Sequence, residues 1–67
     1  MFQVGQLVKW HETYGDVNIT KDCGLGVVVS TQTFDYFKEE IIIYKIYRQK
    51  YEDYVLFENH NLELIKE

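Results

Sequence analysis

Sixty-seven residues suffice for one small domain, and a chain of this length buries only about 60% of its unfolded surface, so modest stability is expected. A hydrophobic content of 46% with a formal charge of −4 excludes a disordered chain, and 11 acidic against 7 basic residues disfavour general affinity for phosphate backbones. Cys23 is the only cysteine, which excludes an intramolecular disulfide and favours a reducing, cytoplasmic setting.

Met1 leads into Phe2–Trp10, FQVGQLVKW, instead of a basic segment followed by an apolar run, so no signal peptide is expected. The alternation predicts a strand with a turn or bulge at Gly5, Val8 and Trp10 sharing the core face and Leu7 and Lys9 the other. His11–Lys21 is polar and broken by Gly15 and Asp16, which predicts a long, hairpin-like loop; Val17 and Ile19 alternate on its returning arm. In Asp22–Thr31, DCGLGVVVST, Gly24 and Gly26 are expected to permit a sharp turn and a close backbone approach before three valines enter the central strand, Leu25–Phe34.

Asp35–Glu40, DYFKEE, is expected to be an exposed hairpin tip, with a short helical turn as the alternative. The strand Ile41–Arg48 returns with Ile42, Tyr44 and Ile46 inward and Ile41, Ile43, Lys45 and Tyr47 outward. Gln49–Asp53 reads as a polar turn, Tyr54–Phe57 as a fourth strand with Val55 and Phe57 inside, and Glu58–Asn61 as a single helical or 3-10 turn. Leu62–Ile65 closes the chain as a short strand with Leu62 and Leu64 as core candidates. The longest apolar run, Ile41–Tyr44, is far short of the about 20 residues that a membrane-spanning helix needs, so no membrane partner is expected.

The predicted fold class is therefore all-β, a single domain over residues 1–67 with five short strands and a 3-10 turn before the last. With VGQLVKW, DCGLGVVV, IYKIYR and NLELI as its carriers, nearly the whole chain resembles the small SH3-like barrel proteins of tailed phages, particularly those of cyanobacteria. That resemblance implies a five-stranded barrel, a phage-encoded protein in the host cytoplasm and no particular activity. In SH3-like domains the long first loop and the neighbouring hairpin tip form an aromatic groove, which on this chain would draw on Trp10, Tyr14, Asp16, Tyr36 and Tyr54. The ALYDY-like run and the proline-groove signature of peptide-binding SH3 domains are absent, so polyproline recognition is not expected.

No residue pattern points to catalysis or to a cofactor. His11 and His60 with Glu12, Asp16 and Glu58 lack the spacing of a metal site, and one cysteine is too few for structural zinc. Cys23 has no partner base in the pattern and reads as a small buried hydrophobe. The GxG at Gly24–Gly26 runs into valines, not into a helix N-terminus, and so is no phosphate loop. The tyrosines around one hairpin carry the functional signal: with Ile41 and Ile43 outward, Tyr36, Tyr44, Tyr47, Tyr51 and Tyr54 predict an apolar and aromatic patch typical of protein interfaces. The expected function is a non-enzymatic module that binds a protein partner, or itself, through Ile41, Ile43, Tyr47 and the aromatic loop edge. The alternatives are nucleic-acid binding, with Lys9, Lys21, Lys45, Arg48 and Lys50 meeting phosphates, and a small virion component.

Overall fold

The structure, a computed structural model, describes residues 1–15 and 19–65. Its strands are β1 (Leu7–Thr13), β2 (Thr20–Tyr36), β3 (Glu39–Arg48), β4 (Asp53–Glu58) and β5 (Leu62–Leu64), with a 3-10 turn at Asn59–Asn61 before the last. They form one antiparallel sheet in the order β4-β3-β2-β1-β5, the all-β, five-stranded arrangement expected from the sequence.

Alternating side chains put one face of this sheet into the core. Val8 and Trp10 come from β1, Val28 from β2, Tyr44 and Ile46 from β3, Phe57 from β4 and Leu62 from β5, so every strand contributes to one cluster. Phe2, Ile42 and Val55 pack against it half-buried. Leu64 departs from expectation: it is 46% exposed on the last strand.

Trp10 is the largest fully buried side chain. Its ring stacks on Phe57 with centroids 5.9 Å apart, and its Nε1–H donates to the Leu25 carbonyl at 3.1 Å. Gly24 and Gly26 lie across from Trp10 and Val8 in the β1–β2 register, within the strand and not at a turn. The expected sharp turn is absent there, but the close approach is real. A Cβ at Gly24 would sit 2.8 Å from Trp10 Cζ2, and one at Gly26 would sit 2.6 Å from both the Tyr47 carbonyl oxygen and Ile46 Cγ2.

β2 is longer than predicted because its partners change along its length. Thr20–Val27 pairs with β1, and Gly26–Tyr36 pairs with β3. The β2–β3 register slips between Val28 and Ser30, a bulge that bends the strand where it changes partners. Before β1, Gly5 (φ 93°) turns the chain so that its N–H donates to the Val28 carbonyl at 2.8 Å, while the Val28 N–H donates to the Gln6 carbonyl at 3.1 Å.

Two predicted loops contract. β1 runs to Thr13 and β2 starts at Thr20, so both ends of the loop expected over His11–Lys21 are strand, and the Tyr14 N–H donates to the Ile19 carbonyl at 3.1 Å. Asp16 and Val17 lie outside the described residues. The tip expected over Asp35–Glu40 is a two-residue turn at Phe37 and Lys38, flanked by the Tyr36–Glu39 pair, and it is not helical. Both central residues have positive φ, 48° and 71°, as a type I′ hairpin turn requires.

The glycine contacts predict that Gly26→Ala destabilises the fold by roughly 3 kcal/mol, the upper part of the ordinary range for overpacking. Gly24→Ala is expected to cost less, because a side chain rather than a backbone carbonyl must yield. Urea unfolding midpoints of the two variants check this order. At the hairpin, Lys38→Gly is expected to stabilise by about 0.5–1 kcal/mol, since relief of left-handed strain exceeds the added freedom of the unfolded chain; a lowered midpoint would contradict it.

Candidate functional site

The outer face of β2, β3 and β4 gathers most of the candidate residues. On β3, Ile41, Ile43, Lys45 and Tyr47 lie opposite Phe34, Gln32, Ser30 and Val27 of β2; on β4, Glu58, Leu56 and Tyr54 lie opposite Ile43, Lys45 and Tyr47. Ile41, Ile43 and Tyr47 are half-buried. The open part of the patch is Phe34 (50% exposed), Tyr36 (59%), Tyr54 (59%) and Leu56 (60%). Phe34 and Leu56 were not among the sequence candidates, although alternation with Val55 and Phe57 already puts Tyr54 and Leu56 outward.

Aromatic contacts knit this face together. Tyr47 and Tyr54 meet edge-on at 5.3 Å, and Lys45 Nζ lies 5.2 Å from the Tyr54 ring centroid. Ser30, Gln32, Ile43, Lys45 and Leu56 line a shallow depression of about 330 Å³. Phe37, 83% exposed at the hairpin turn, packs edge-on against Tyr36 at 4.5 Å. At about 200 Å² per ring, Phe34, Tyr36, Phe37 and Tyr54 leave on the order of 500 Å² of aromatic surface in water.

The groove implied by the SH3-like resemblance does not assemble from the residues assigned to it. Trp10 is a fully buried core residue, so its ring is not on any surface. Tyr14 is exposed in the loop before β2, whereas Tyr36 ends that 17-residue strand, so the two stand at its opposite ends. Asp16 lies outside the described residues. Only Tyr36 and Tyr54 of that set join the outer face.

A second cluster, not foreseen from the sequence, closes the inner end of the core around Arg48. Its side chain is buried, and its guanidinium donates from Nε and Nη2 to both oxygens of Asp53 at 2.7 and 2.6 Å and from Nη1 to Glu12 Oε1 at 2.6 Å. The same group lies 5.0 Å from the Trp10 ring centroid and 4.4 Å from that of Tyr51. The hydrogen bonds to Asp53 raise the guanidinium pKa, and in return Arg48 holds the Asp53 carboxyl below its ordinary value. Beside it, Asp22 accepts from Lys50 Nζ at 2.7 Å, from the Tyr51 hydroxyl and from the Cys23 N–H at 2.9 Å. Lys50 first and Tyr51 second hold the Asp22 carboxyl down at about 2, while Asp22 pushes the Tyr51 phenol up.

This cluster works as a staple. Glu12 and Asp22 face each other across β1 and β2, a pairing of like charges that Arg48 and Lys50 neutralise from β3 and the turn after it. Among the described residues no buried side-chain polar atom is left without a partner. Arg48 and Lys50 are thereby engaged with carboxylates and are not free cations for a phosphate backbone.

The remaining candidates are dispersed. His60 Nδ1 lies 3.5 Å from Glu58 Oε2, Glu12 is engaged by Arg48, and among the described residues no three His, Cys, Asp or Glu are placed to hold a metal ion together. Cys23 is exposed instead of buried, opposite His11 in the β1–β2 register. No helix among the described residues is long and apolar enough to cross a membrane. Compared with known proteins, the chain matches no family model, no curated protein and no solved structure.

The ion pairs set a pH dependence. A carboxylate held below its unfolded value stabilises the fold above pH about 4, and that contribution is lost as pH falls toward the folded value, about 2 for Asp22. Thermal midpoints of the wild type are expected to drop across this window. Asp22→Asn should start lower and show a shallower drop, which circular dichroism at stepped pH would reveal; an unchanged slope would mean that Asp22 is not thermodynamically linked to folding.

Proposed function

We propose that this chain is a non-enzymatic protein-interaction module of SH3-like type that binds a partner protein through the outer face of β2, β3 and β4. The observation that carries this reading is the grouping of Phe34, Tyr36, Tyr54 and Leu56, all at least half exposed, around the half-buried Ile41, Ile43 and Tyr47. Rings that merely cap a small core would lie against it. The core cluster occupies the other face of the sheet, and Phe34 and Tyr36 stand beyond the part of β2 that β1 covers.

The chemistry of the patch suits a protein surface. Tyrosine offers a broad apolar ring with a hydroxyl that tolerates water, and Lys45 adds one charge at the centre, held on Tyr54. The inner cluster supports a non-enzymatic role, since its carboxylates and cations are engaged with one another. The resemblance to phage-encoded barrels adds the setting, a module acting in the cytoplasm of an infected host.

The test compares three immobilised chains in extract from the native host. The wild type retains a partner protein, Leu56→Asp at the centre of the patch binds it at least tenfold more weakly, and Tyr14→Ser at the far end of β2 binds it unchanged. Equal retention by all three, or none by the wild type, overturns the reading.

A further inference from the structure

The distal half of the β2–β3 hairpin is a two-stranded ribbon without the support that the rest of the sheet has. β1 pairs with β2 only as far as Val27, Gly5 and Gln6 engage Val28, and β4 pairs with β3 only from Ile43 onward. Ser30–Tyr36 therefore bonds to β3 along one edge, and among the described residues no backbone group pairs with the other. Every residue from Thr31 to Glu40 is exposed. A ribbon of two strands with water on both faces is marginally stable by itself.

The free edges of the sheet are not protected equally. β4 carries Asp53 and Glu58 at its two ends, the distal part of β3 carries Glu39 and Glu40, and β5 is only three residues long. Ser30–Tyr36, STQTFDY, has a single charge at Asp35, no proline and no lysine, and it is rich in the β-formers Thr, Phe and Tyr. Charges, proline and short length are the usual devices that keep an edge from pairing, and this edge has the fewest of them.

We propose that two copies of the chain join edge to edge through Ser30–Tyr36 of β2, antiparallel about a two-fold axis at Thr33. The edge is self-complementary in that register. Thr33 faces its own copy, Gln32 of one chain lies opposite Phe34 of the other, and Ser30 lies opposite Tyr36, so each ring meets a smaller side chain on the outer face. Asp35 falls opposite Thr31 and not opposite itself, so no like charges meet. The result is a β3-β2-β2-β3 sheet in which each ribbon gains a third and fourth strand, and the outer faces of both copies point to the same side. This goes beyond the outer-face reading, because it uses the edge of the sheet and not its face.

Sedimentation equilibrium tests it. The wild type is expected at twice the 8.1 kDa of the chain. Thr33→Lys and Thr33→Glu, each placing like charges face to face at the axis, are expected at the monomer mass, and an equimolar mixture of the two returns to the dimer mass. Circular dichroism of each variant alone shows whether it is folded, and the mixture reports on pairing even if one variant is weakened. Leu56→Asp, which weakens partner capture at least tenfold under the outer-face reading, stays dimeric. A monomeric wild type, a mixture that remains monomeric, or a dimer dissolved by Leu56→Asp overturns strand pairing, while the outer-face reading stands or falls on the capture experiment.

Discussion

The fold depends on the burial of one indole. Trp10 is the largest fully buried side chain of the five-stranded sheet, with Phe57 stacked on it from β4. Space for it exists because β2 presents no side chain at Gly24 or Gly26, the two positions that face β1 where the ring lies. The buried indole N–H finds its acceptor at Leu25, between those glycines, so the same three residues supply both the room and the hydrogen bond. Full burial of a large side chain is worth about 1.5–3 kcal/mol, a large share of the net stability of so small a domain.

Closing the core at its inner end required charge, and the geometry shows how the cost of burying it is met. An unpaired guanidinium at this depth would be strongly unfavourable. Arg48 meets two carboxylates, one of them bidentate, and lies over two aromatic faces, so nearly every direction around it is filled. These contacts join β1, β3 and the start of β4 and hold Tyr51 of the intervening turn. The sheet therefore has two kinds of adhesive: apolar packing in the middle and ion pairs at the end closed by Arg48.

Much of this was legible from period-two alternation alone. Val8, Trp10, Tyr44, Ile46 and Phe57 point inward as their spacing predicts, and the 3-10 turn falls on the Asn and His residues that favour it. What failed to show is instructive. Alternation tracks hydrophobicity, so the polar strand end at Glu12 reads as loop and Arg48 reads as a cation for phosphate, although both belong to the charged end of the core. The hairpin tip within Asp35–Glu40 is legible, but its contraction to two residues at Phe37 and Lys38 is not, because the turn lacks the Asn-Gly chemistry its backbone calls for. The groove role that the SH3-like resemblance implies for Trp10 conflicts with its alternation with Val8, and the burial of the ring follows the alternation. The outer patch is half visible: Ile41, Ile43, Tyr47 and Tyr54 are legible, Leu56 follows from its alternation with Val55 and Phe57, and Phe34 needs the cross-strand register.

That register also separates the residues that folding explains from those it does not. The core draws on β2 only as far as Val28, so the eight residues from Val29 to Tyr36 extend the strand past the cluster they would otherwise serve. Folding alone would permit any soluble β-forming sequence there. Instead the segment keeps Phe34 and Tyr36 half exposed, and the turn beyond it keeps Phe37 almost wholly exposed in a strained conformation. Each ring left in water forgoes the same order of stabilisation that burying Trp10 provides. A domain this small has little stability to forgo, and the surplus half of β2 is where contact with another chain would recover it.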